Sequence, residues 1–214
     1  IPLHRGQKPC SKTSCGNLHR VKNIDANHDI NWVEAKNLSC DHYLCSQVPT
    51  DFVDLEYVNV SPEHYGKGTR RRGDKRFKVD SDFLWVVGMY IAEGSSTENH
   101  VQFSLSLKEK DFANRIISFF QKHGFNPRIR KDLQNYGGLV VVISSRMLAI
   151  WLREWVGHGC DKKIIPSELF NLPNEKIKYL IQGISDGDGH DKTNTLHQTS
   201  LHLALQVVEI GLRM

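Results

Sequence analysis

No apolar run in the sequence approaches the roughly 20 residues that a membrane-crossing helix requires, and no secretory apolar region stands at its start. Glycine and proline are not enriched among the 214 residues, so the composition gives no indication of wholesale disorder. The cysteines number five, and four of them lie within residues 10–45. An odd number of cysteines favours a reducing, intracellular setting over a disulfide framework. The chain begins with Ile1, which indicates processing, excision or a fragment.

Basic residues are concentrated rather than abundant. The net charge is only +4, which is weak evidence for a nucleic-acid partner. Residues 66–78 nevertheless hold seven cations against one acid. Alone, this run is typical of a solvated linker; beside other DNA-binding features it predicts phosphate contacts. The candidates within it are Arg70, Arg71, Arg72, Lys75 and Arg76.

Changes in composition divide the chain into four parts. Residues 1–50 resemble a small β-rich segment, in which Trp32, Val33, Leu38, Tyr43 and Leu44 are expected to pack short strands. Residues 51–79 contain the basic run and three glycines, as a linker does. Residues 80–166 and 167–214 are predicted to form two related units, the second of them incomplete.

Residues 82–156 predict the element order α-β-β-α-β-β-α. Asp80, Ser81 and Asp82 offer an N-cap to an apolar helix. The stretch HVQFSLSLK alternates, with Val101, Phe103, Leu105 and Leu107 on the buried face. A helix with Phe112, Ile116, Phe119 and Phe120 at helical spacing follows and ends before Gly124. A hairpin (NPRIRKDL and GLVVVISS) and a helix with buried Leu148, Trp151, Leu152 and Trp155 complete the series.

Two apolar helices end on a carboxylate followed by glycine. The first ends at Glu93 and the second, after YLIQGIS, at Asp188. Small residues four apart, Gly88 with Ala92 and Gly183 with Gly187, let two helix backbones approach closely. Such packing explains the glycines but not the acids, since helix C-termini disfavour anions and paired carboxylates repel. A divalent cation between them removes both problems, and hard oxygen ligands suit Mg²⁺.

The stretches VVGMYIAEG (86–94) and IQGISDGDG (181–189) resemble the two signature motifs of the LAGLIDADG homing endonucleases. The Lys-x-Ile-Pro element before the second motif is similar to the intein-encoded branch of that family. The resemblance covers residues 82–214. It implies an α+β fold of tandem αββαββα units, whose saddle-shaped antiparallel sheets lie over the DNA major groove.

The resemblance also implies roles for individual residues. Glu93 and Asp188 would bind two or more Mg²⁺ ions, one acid for each scissile strand, with the backbones of Gly94 and Gly189 as further ligands. Lys163, or alternatively Lys162, would assist near the attacking water or the leaving group. The implied activity is site-specific cleavage of double-stranded DNA, with no membrane partner and a cytoplasmic or nucleoid-associated location.

Outward-facing polar residues predict the DNA-contacting face. If alternate residues of the strand at 101–107 enter the core, their neighbours point outward, and arginines alternate with isoleucine in the next hairpin. An ordinary hydrated sheet face is the alternative interpretation. The candidates are Gln102, Ser104, Ser106, Arg128, Arg130 and, in the polar hairpin of the second unit, His197.

The second unit stops short of its last hairpin and helix. The missing part is either outside this sequence, supplied by a second polypeptide or by self-association, or lost by decay of the gene. A non-catalytic DNA- or RNA-binding module on the same fold, such as a maturase or regulator, is therefore the alternative function. A globular α/β protein with no nucleic-acid role is a third interpretation, which the duplicated acid-glycine ends disfavour.

The first fifty residues allow two interpretations. INWVEAKNLSCDHYLCSQVP resembles a strand-rich stretch that precedes the endonuclease in inteins. Without a nucleophile at position 1 or a terminal His-Asn pair, we expect a remnant or excerpt rather than splicing. The thiols are either free or bind one structural Zn²⁺ through Cys10, Cys15, Cys40 and Cys45.

Overall fold

Two compact units make up the chain, residues 1–49 and 50–214. The computed structural model describes residues 7–9, 18–20, 33–39, 52–60, 75–132, 137–190 and 195–214. None of the helices in those ranges combines the length and the apolar character that a membrane span needs.

The first unit contains a short antiparallel ribbon, in which β1 (Gln7–Pro9) pairs with β2 (Leu18–Arg20). A 3-10 helix lies further along at Ala35–Asn37. Val33 and Leu38 flank this helix and are 41% and 42% exposed. The prediction that these two residues pack short strands is therefore wrong, because the chain between them turns instead of extending.

Part of the segment interpreted as a linker belongs to the core of the second unit. β3 (Tyr57–Val60) pairs antiparallel with β4 (Lys75–Lys78). Apolar residues alternate with polar ones in YVNV and KRFKV, and this alternation decides the structure despite the basic composition around it. The apolar residues are buried: Val58, Val60, Phe77 and Val79.

The first long helix, α1 (Ser81–Glu93), is buried along most of its length. Asp80 caps its N-terminus, since its carboxylate accepts a hydrogen bond from the backbone N–H of Phe83 at 3.0 Å. The nine residues from Phe83 to Ile91 are all buried. A helix that is apolar all round can only pack inside a domain, and α1 is the central element of this unit.

A four-stranded antiparallel sheet packs against α1 in the strand order β5-β6-β8-β7. The strands are β5 (Gly94–Ser96), β6 (His100–Leu105), β7 (Pro127–Asp132) and β8 (Gly138–Ser144). The alternation predicted for β6 is confirmed for Val101, Phe103 and Leu105, which are buried. Leu107 is 48% exposed, so its predicted burial is wrong, because the strand ends at Leu105 and the chain then turns.

Two amphipathic helices, α2 (Lys110–Lys122) and α3 (Arg146–Trp155), cover the core side of the sheet. Gly124 follows α2 with a φ of +74°, the left-handed conformation that glycine adopts without strain. The prediction of burial is confirmed for Ile116, Phe119 and Phe120 in α2 and for Leu148, Trp151 and Leu152 in α3. Phe112 and Trp155, predicted with them, are only partly buried against the core.

The remainder of the unit repeats the first elements. After the short helix α4 (Ser167–Phe170) come α5 (Asn174–Asp188), β9 (Gly189–His190), β10 (Thr195–Leu196) and α6 (Leu201–Arg213). β9 and β10 pair antiparallel. From Ser81 the order is thus α-β-β-α-β-β-α, and from Asn174 it is α-β-β-α. The fold is α+β with antiparallel sheets, as predicted.

Two glycines let α1 and α5 touch backbone to backbone. A Cβ atom added to Gly88 would lie 2.2 Å from the carbonyl oxygen of Leu180 and 2.9 Å from the Cα of Gly183. A Cβ atom added to Gly183 would lie 2.2 Å from the carbonyl oxygen of Trp85. These separations leave no room for a side chain on either helix. The predicted close approach through small residues is confirmed.

We expect Gly88→Ala to lower the free energy of unfolding by about 2–3 kcal/mol, because the added methyl group forces two backbones apart. Gly211→Ala is the matched control: it lies within helix α6 and no atom would come within 4 Å of its new Cβ. That variant should be more stable than the parent chain by up to about 1 kcal/mol. Urea unfolding of both variants makes the comparison, and an unchanged midpoint for Gly88→Ala would contradict the packing described.

Candidate active site

The two packed helices end on carboxylates that lie side by side. Glu93 is the last residue of α1 and Asp188 the last residue of α5. A Cβ atom added to Gly187 would lie 2.5 Å from the Cβ of Ala92 and 3.2 Å from the Cγ of Glu93. Close contact between the helices therefore continues to their C-terminal ends. The structure brings together the two acids that the sequence singles out.

The glycine after each acid is required by the same local geometry. Gly94 and Gly189 are extended, with φ of −80° and −77°, and each begins a strand directly from its helix. A Cβ atom on Gly94 would lie 2.4 Å from the carbonyl oxygen of Tyr90, and one on Gly189 would lie 2.2 Å from that of Ser185. A side chain at either position would clash with the last turn of its own helix. The glycines thus allow an abrupt change from helix to strand immediately behind the acid.

Both carboxyl groups are held in surroundings that disfavour their charge. Burial, followed by the charges of Asp188 and Glu109, raises the pKa of Glu93 to about 7, against the opposing effect of Lys163. Burial also raises the pKa of Asp188, while a hydrogen bond from Gln198 and the charge of Lys163 lower it. The Nε2 of Gln198 donates this bond to Asp188 Oδ2 at 2.6 Å. The pair is electrostatically unfavourable without a further positive charge.

Lys163 supplies a positive charge at the end of α1. Its side chain is buried, and its Nζ donates to the carbonyl oxygens of Tyr90, Ile91 and Gly94 at 2.9, 2.8 and 2.6 Å. Ile91 lies in the last turn of α1, where carbonyls run short of helical N–H donors, whereas the Tyr90 carbonyl also accepts from the backbone N–H of Gly94. Burial lowers the pKa of Lys163 to about 8, and the charges of Asp188 and Glu93 oppose that change. The ammonium therefore offsets the negative end of the helix dipole beside the acids.

A groove of about 300 Å³ opens next to Glu93 and Lys163. Its volume is sufficient for a phosphate group with several waters, each of which occupies about 30 Å³ in the liquid. Besides the acid and the lysine, its lining includes Ser95, Ser104, His158 and Cys160. The Cys160 thiol is free and exposed. This groove gives a ligand access to the end of α1, where Glu93 and Lys163 lie.

The donor set fits a hard divalent cation in part. Two carboxylates whose pKa values are raised by burial, and for Glu93 by its partner's charge, would be stabilised in their ionised form by Mg²⁺. In the described part of the chain, no group of three or more His, Cys, Asp or Glu side chains surrounds a common point. Further ligands would therefore come from substrate phosphate, water and backbone. The carbonyl of Gly94, a predicted ligand, already accepts a hydrogen bond from Lys163.

Four of the predicted DNA-binding residues share the face of the sheet that points away from the core. Cross-strand pairing aligns Arg128, Val142 and Gln102 in one row and Arg130, Val140 and Ser104 in the next. Both arginines and Ser104 are exposed, and Gln102 is partly exposed. Ser106, also exposed, follows the end of β6. We call the seven residues Ser95, Gln102, Ser104, Arg128, Arg130, Val140 and Val142 the outer face.

The hairpin of the second series places His197 in the position of Ser104. Gly189 pairs with Leu196 as Gly94 pairs with Phe103, so the residue after each partner is equivalent. His197 is exposed. Pairing therefore gives this histidine the same relation to Asp188 that Ser104 has to Glu93.

The basic residues of the former linker have mixed environments. Lys75 Nζ donates to the carbonyl oxygen of His123 at 2.7 Å and lies 4.1 Å from the centre of the Phe125 ring. This lysine thus caps the end of α2, as Lys163 caps α1. Arg76 stacks on Tyr57 at 4.3 Å and is exposed. Arg70, Arg71 and Arg72 and the four N-terminal cysteines (Cys10, Cys15, Cys40 and Cys45) lie outside the described residues.

The sequence does not predict the role of Gln198, whose side chain donates a hydrogen bond to Asp188. Nothing distinguishes it from other polar residues of TNTLHQTS, and its contact spans the hairpin between β9 and α6. The pairing of Trp85 with Asp186 is missed for the same reason, because the two residues lie on different helices.

Comparisons with known proteins give relatives but no family, since no family model matches the chain. It is 27% identical over 161 residues to the ATP-dependent DNA helicase Hel308 of Thermococcus kodakarensis, covering 70% of this chain and 14% of the helicase. It is 30% identical over 179 residues to the DNA-directed RNA polymerase subunit Rpo1C of Methanocaldococcus jannaschii, covering 79% of this chain and 18% of that subunit. The iron-sulfur cluster assembly SufBD family protein ML0593 of Mycobacterium leprae is 28% identical over 114 residues, covering 50% of this chain and 12% of that protein. The chain thus spans less than a fifth of the length of each of these relatives.

We expect the carboxylate of Glu93 to destabilise the metal-free chain at neutral pH. Its pKa is raised from 4.5 to about 7, so the folded state binds the proton more tightly than the unfolded state, and stability falls as the pH rises between those values. Glu93→Gln should be more stable than the parent by about 1–2 kcal/mol above pH 7, allowing for partial exposure, and equally stable below pH 4.5. Urea titrations across pH measure this, with the exposed Glu98→Gln as control. A constant difference between the Glu93 variant and the parent at all pH values would contradict the account.

Proposed function

We propose that this chain is a divalent-metal-dependent, site-specific DNA endonuclease of the LAGLIDADG homing endonuclease type. The observation that carries the proposal is the convergence of Glu93 and Asp188 at the ends of two glycine-packed helices. Neutral residues at positions 93 and 188 would allow the two helices to pack equally well. A bound cation would offset the charge of two partly buried carboxylates at adjacent helix C-termini.

The fold supports the proposal beyond the motifs. The family's unit is αββαββα, and the elements from Ser81 to Trp155 follow that order. The family packs its motif helices at the centre of the protein, and α1 and α5 here make backbone contact. The second series contains the matching helix, hairpin and following helix. We therefore assign residues 80–166 and 167–214 to two family units.

The residues of the site divide the chemistry between them. Glu93 and Asp188 would hold Mg²⁺, with phosphate oxygens and water completing its ligands. When bound, the metal supplies a nucleophilic water and stabilises negative charge on the scissile phosphate. Lys163 places a positive charge beside the groove while fixing the end of α1, and Gln198 fixes the carboxylate of Asp188. In this assignment Lys163 is a positioning residue, because its hydrogen bonds are made to backbone carbonyls.

The outer face supplies the chemistry for recognising a duplex. Arg128 and Arg130 are exposed and two residues apart on one strand, so they stand about 7 Å apart along it, the distance of two base steps. Arginine and glutamine bind base edges in the major groove, and an apolar group such as the partly exposed Val140 side chain can contact a thymine methyl group. Double-stranded DNA is accordingly the proposed substrate, and the alternation of cations and apolar groups favours sequence-selective binding.

The names of the relatives support a mobile element. A helicase, an RNA polymerase subunit and an iron-sulfur assembly protein share no activity in their names, yet each resembles this chain over a small part of its length. Resemblance confined to a short portion of otherwise dissimilar proteins is expected of a sequence inserted into different genes. Homing endonucleases bring about such insertion by cutting the recipient site.

We expect the purified chain to cleave a subset of duplexes from a randomised library in Mg²⁺ and to bind the same subset in Ca²⁺ without cleavage. Asp188→Asn and Glu93→Gln should each lower the cleavage rate by at least about 100-fold, because each removes a charge that holds the metal. Their affinity for DNA in Ca²⁺ should stay within a few-fold of the parent. Glu98→Gln serves as the matched control and should cleave normally.

The outcomes separate the candidate functions. Selective binding without cleavage by the parent chain would overturn the endonuclease and support a non-catalytic DNA-binding module on the same fold. Cleavage that survives in both acid variants would overturn the assignment of the site. Absence of any DNA binding would exclude both functions.

We expect Arg128→Ala and Arg130→Ala each to weaken DNA binding in Ca²⁺ by roughly tenfold or more, with altered base preference or a salt slope lower by about 1. Lys122→Ala is the control, since it removes the same charge from the exposed end of α2, on the other side of the sheet. Binding titrations at several salt concentrations measure the effect. Equal weakening by the lysine variant would show diffuse attraction and contradict recognition by the outer face.

A further inference from the structure

A buried tryptophan and an aspartate join α1 to α5 near the candidate site. The indole Nε1 of Trp85 donates a hydrogen bond to Asp186 Oδ2 at 2.7 Å. Trp85 is fully buried and lies in the first half of α1. Asp186 lies in the last turn of α5, two residues before Asp188. This is a polar connection between two helices that also meet through backbone at Gly88 and Gly183.

Asp186 and Trp85 each make a further contact with a polar side chain. The second oxygen of Asp186 accepts a hydrogen bond from Gln182 Nε2 at 2.6 Å. The Arg115 guanidinium lies 4.1 Å from the centre of the Trp85 ring and forms an ion pair with Asp82 at 2.9 Å. Both oxygens of Asp186 are thus engaged within the protein. The arrangement suits a structural connection better than a metal ligand.

Asp186 and Asp188 hold the last turn of α5 from different sides. Two residues along an α-helix correspond to a rotation of about 200°. Asp186 is bound to α1 through Trp85, and Asp188 is bound to Gln198 beyond β10. Rotation of this turn about the helix axis would have to break one of the two bonds. A rotation of only about 10° would move a carboxylate at the rim of the helix by about 1 Å.

We propose that the Trp85–Asp186 hydrogen bond is a positioning device that fixes the rotation of the last turn of α5 and thereby the place of the Asp188 carboxylate beside Glu93. Neither residue need touch the substrate. Its effect on cleavage rests on the proposed endonuclease function, whereas its effect on the helix end does not. Misplacement of a reacting group by about 1 Å can lower a rate about 100-fold.

The test uses Trp85→Phe, which removes the donor, and Asp186→Leu, which removes the acceptor. Asp186→Asn is the conservative variant, since its amide oxygen can still accept from the indole. Trp151→Phe is the control for loss of a buried indole elsewhere in the core. Hydrogen exchange is followed at the backbone N–H of Gly189, which closes the helix by bonding to Ser185. Cleavage is measured in Mg²⁺ on a duplex selected from a randomised library.

Trp85→Phe and Asp186→Leu should each raise the exchange rate at Gly189 by about tenfold and lower kcat about 10–100-fold, with KM within threefold. The double variant should be no worse than either single variant, because both remove the same bond. Asp186→Asn should recover most of the loss, and Trp151→Phe should leave the exchange at Gly189 and kcat unchanged.

Exchange at Gly189 within twofold of the parent in both deleting variants would overturn the proposal. Additive losses in the double variant would also overturn it, since they would indicate general destabilisation. If the parent chain cleaves no DNA, the endonuclease proposal fails, but the exchange measurement still decides whether the bond fixes the helix end.

Discussion

The backbone contact between α1 and α5 is the constraint on which the rest of the structure depends. Because Gly88 and Gly183 carry no side chains, the two helices approach until carbonyl oxygens and Cα atoms of one meet the other. The same closeness carries through Gly187 to the helix ends and decides where Glu93 and Asp188 stand. The sheet, α2 and α3 then pack around α1 as layers that keep this central helix away from water.

This geometry leaves an electrostatic problem that the chain resolves differently at its two helix ends. Both acids are partly buried at the negative ends of helix dipoles. At α1 a buried ammonium, Lys163, binds the terminal carbonyls beside Glu93; at α5 a neutral amide, Gln198, binds Asp188 directly. Neither device fully offsets the burial of the two acids, since both carboxyl pKa values remain raised. A site whose charges are unfavourable in the folded chain alone is typical of function maintained at the expense of stability.

Much of this could be predicted from local sequence, and the remainder depends on contacts between distant segments. The capping by Asp80, the alternation in β6 and the acid-glycine pairs are local patterns, and each predicts its structure correctly. Leu107 fails because alternation does not mark where a strand ends, and β3 and β4 were obscured by the basic composition between them. The contacts of Lys163 with α1 and of Trp85 with Asp186 join residues that are far apart in the chain, so no local sequence pattern predicts them.

The central claim is that Glu93 and Asp188 together hold divalent cations where α1 and α5 end. Anomalous diffraction from crystals of the chain bound to a selected duplex and soaked in Mn²⁺ tests it most directly. The account predicts anomalous peaks within about 2.5 Å of a carboxylate oxygen of each acid and beside a backbone phosphate. Peaks only at other positions, with the two carboxylates bound solely to protein groups such as Gln198, would contradict it.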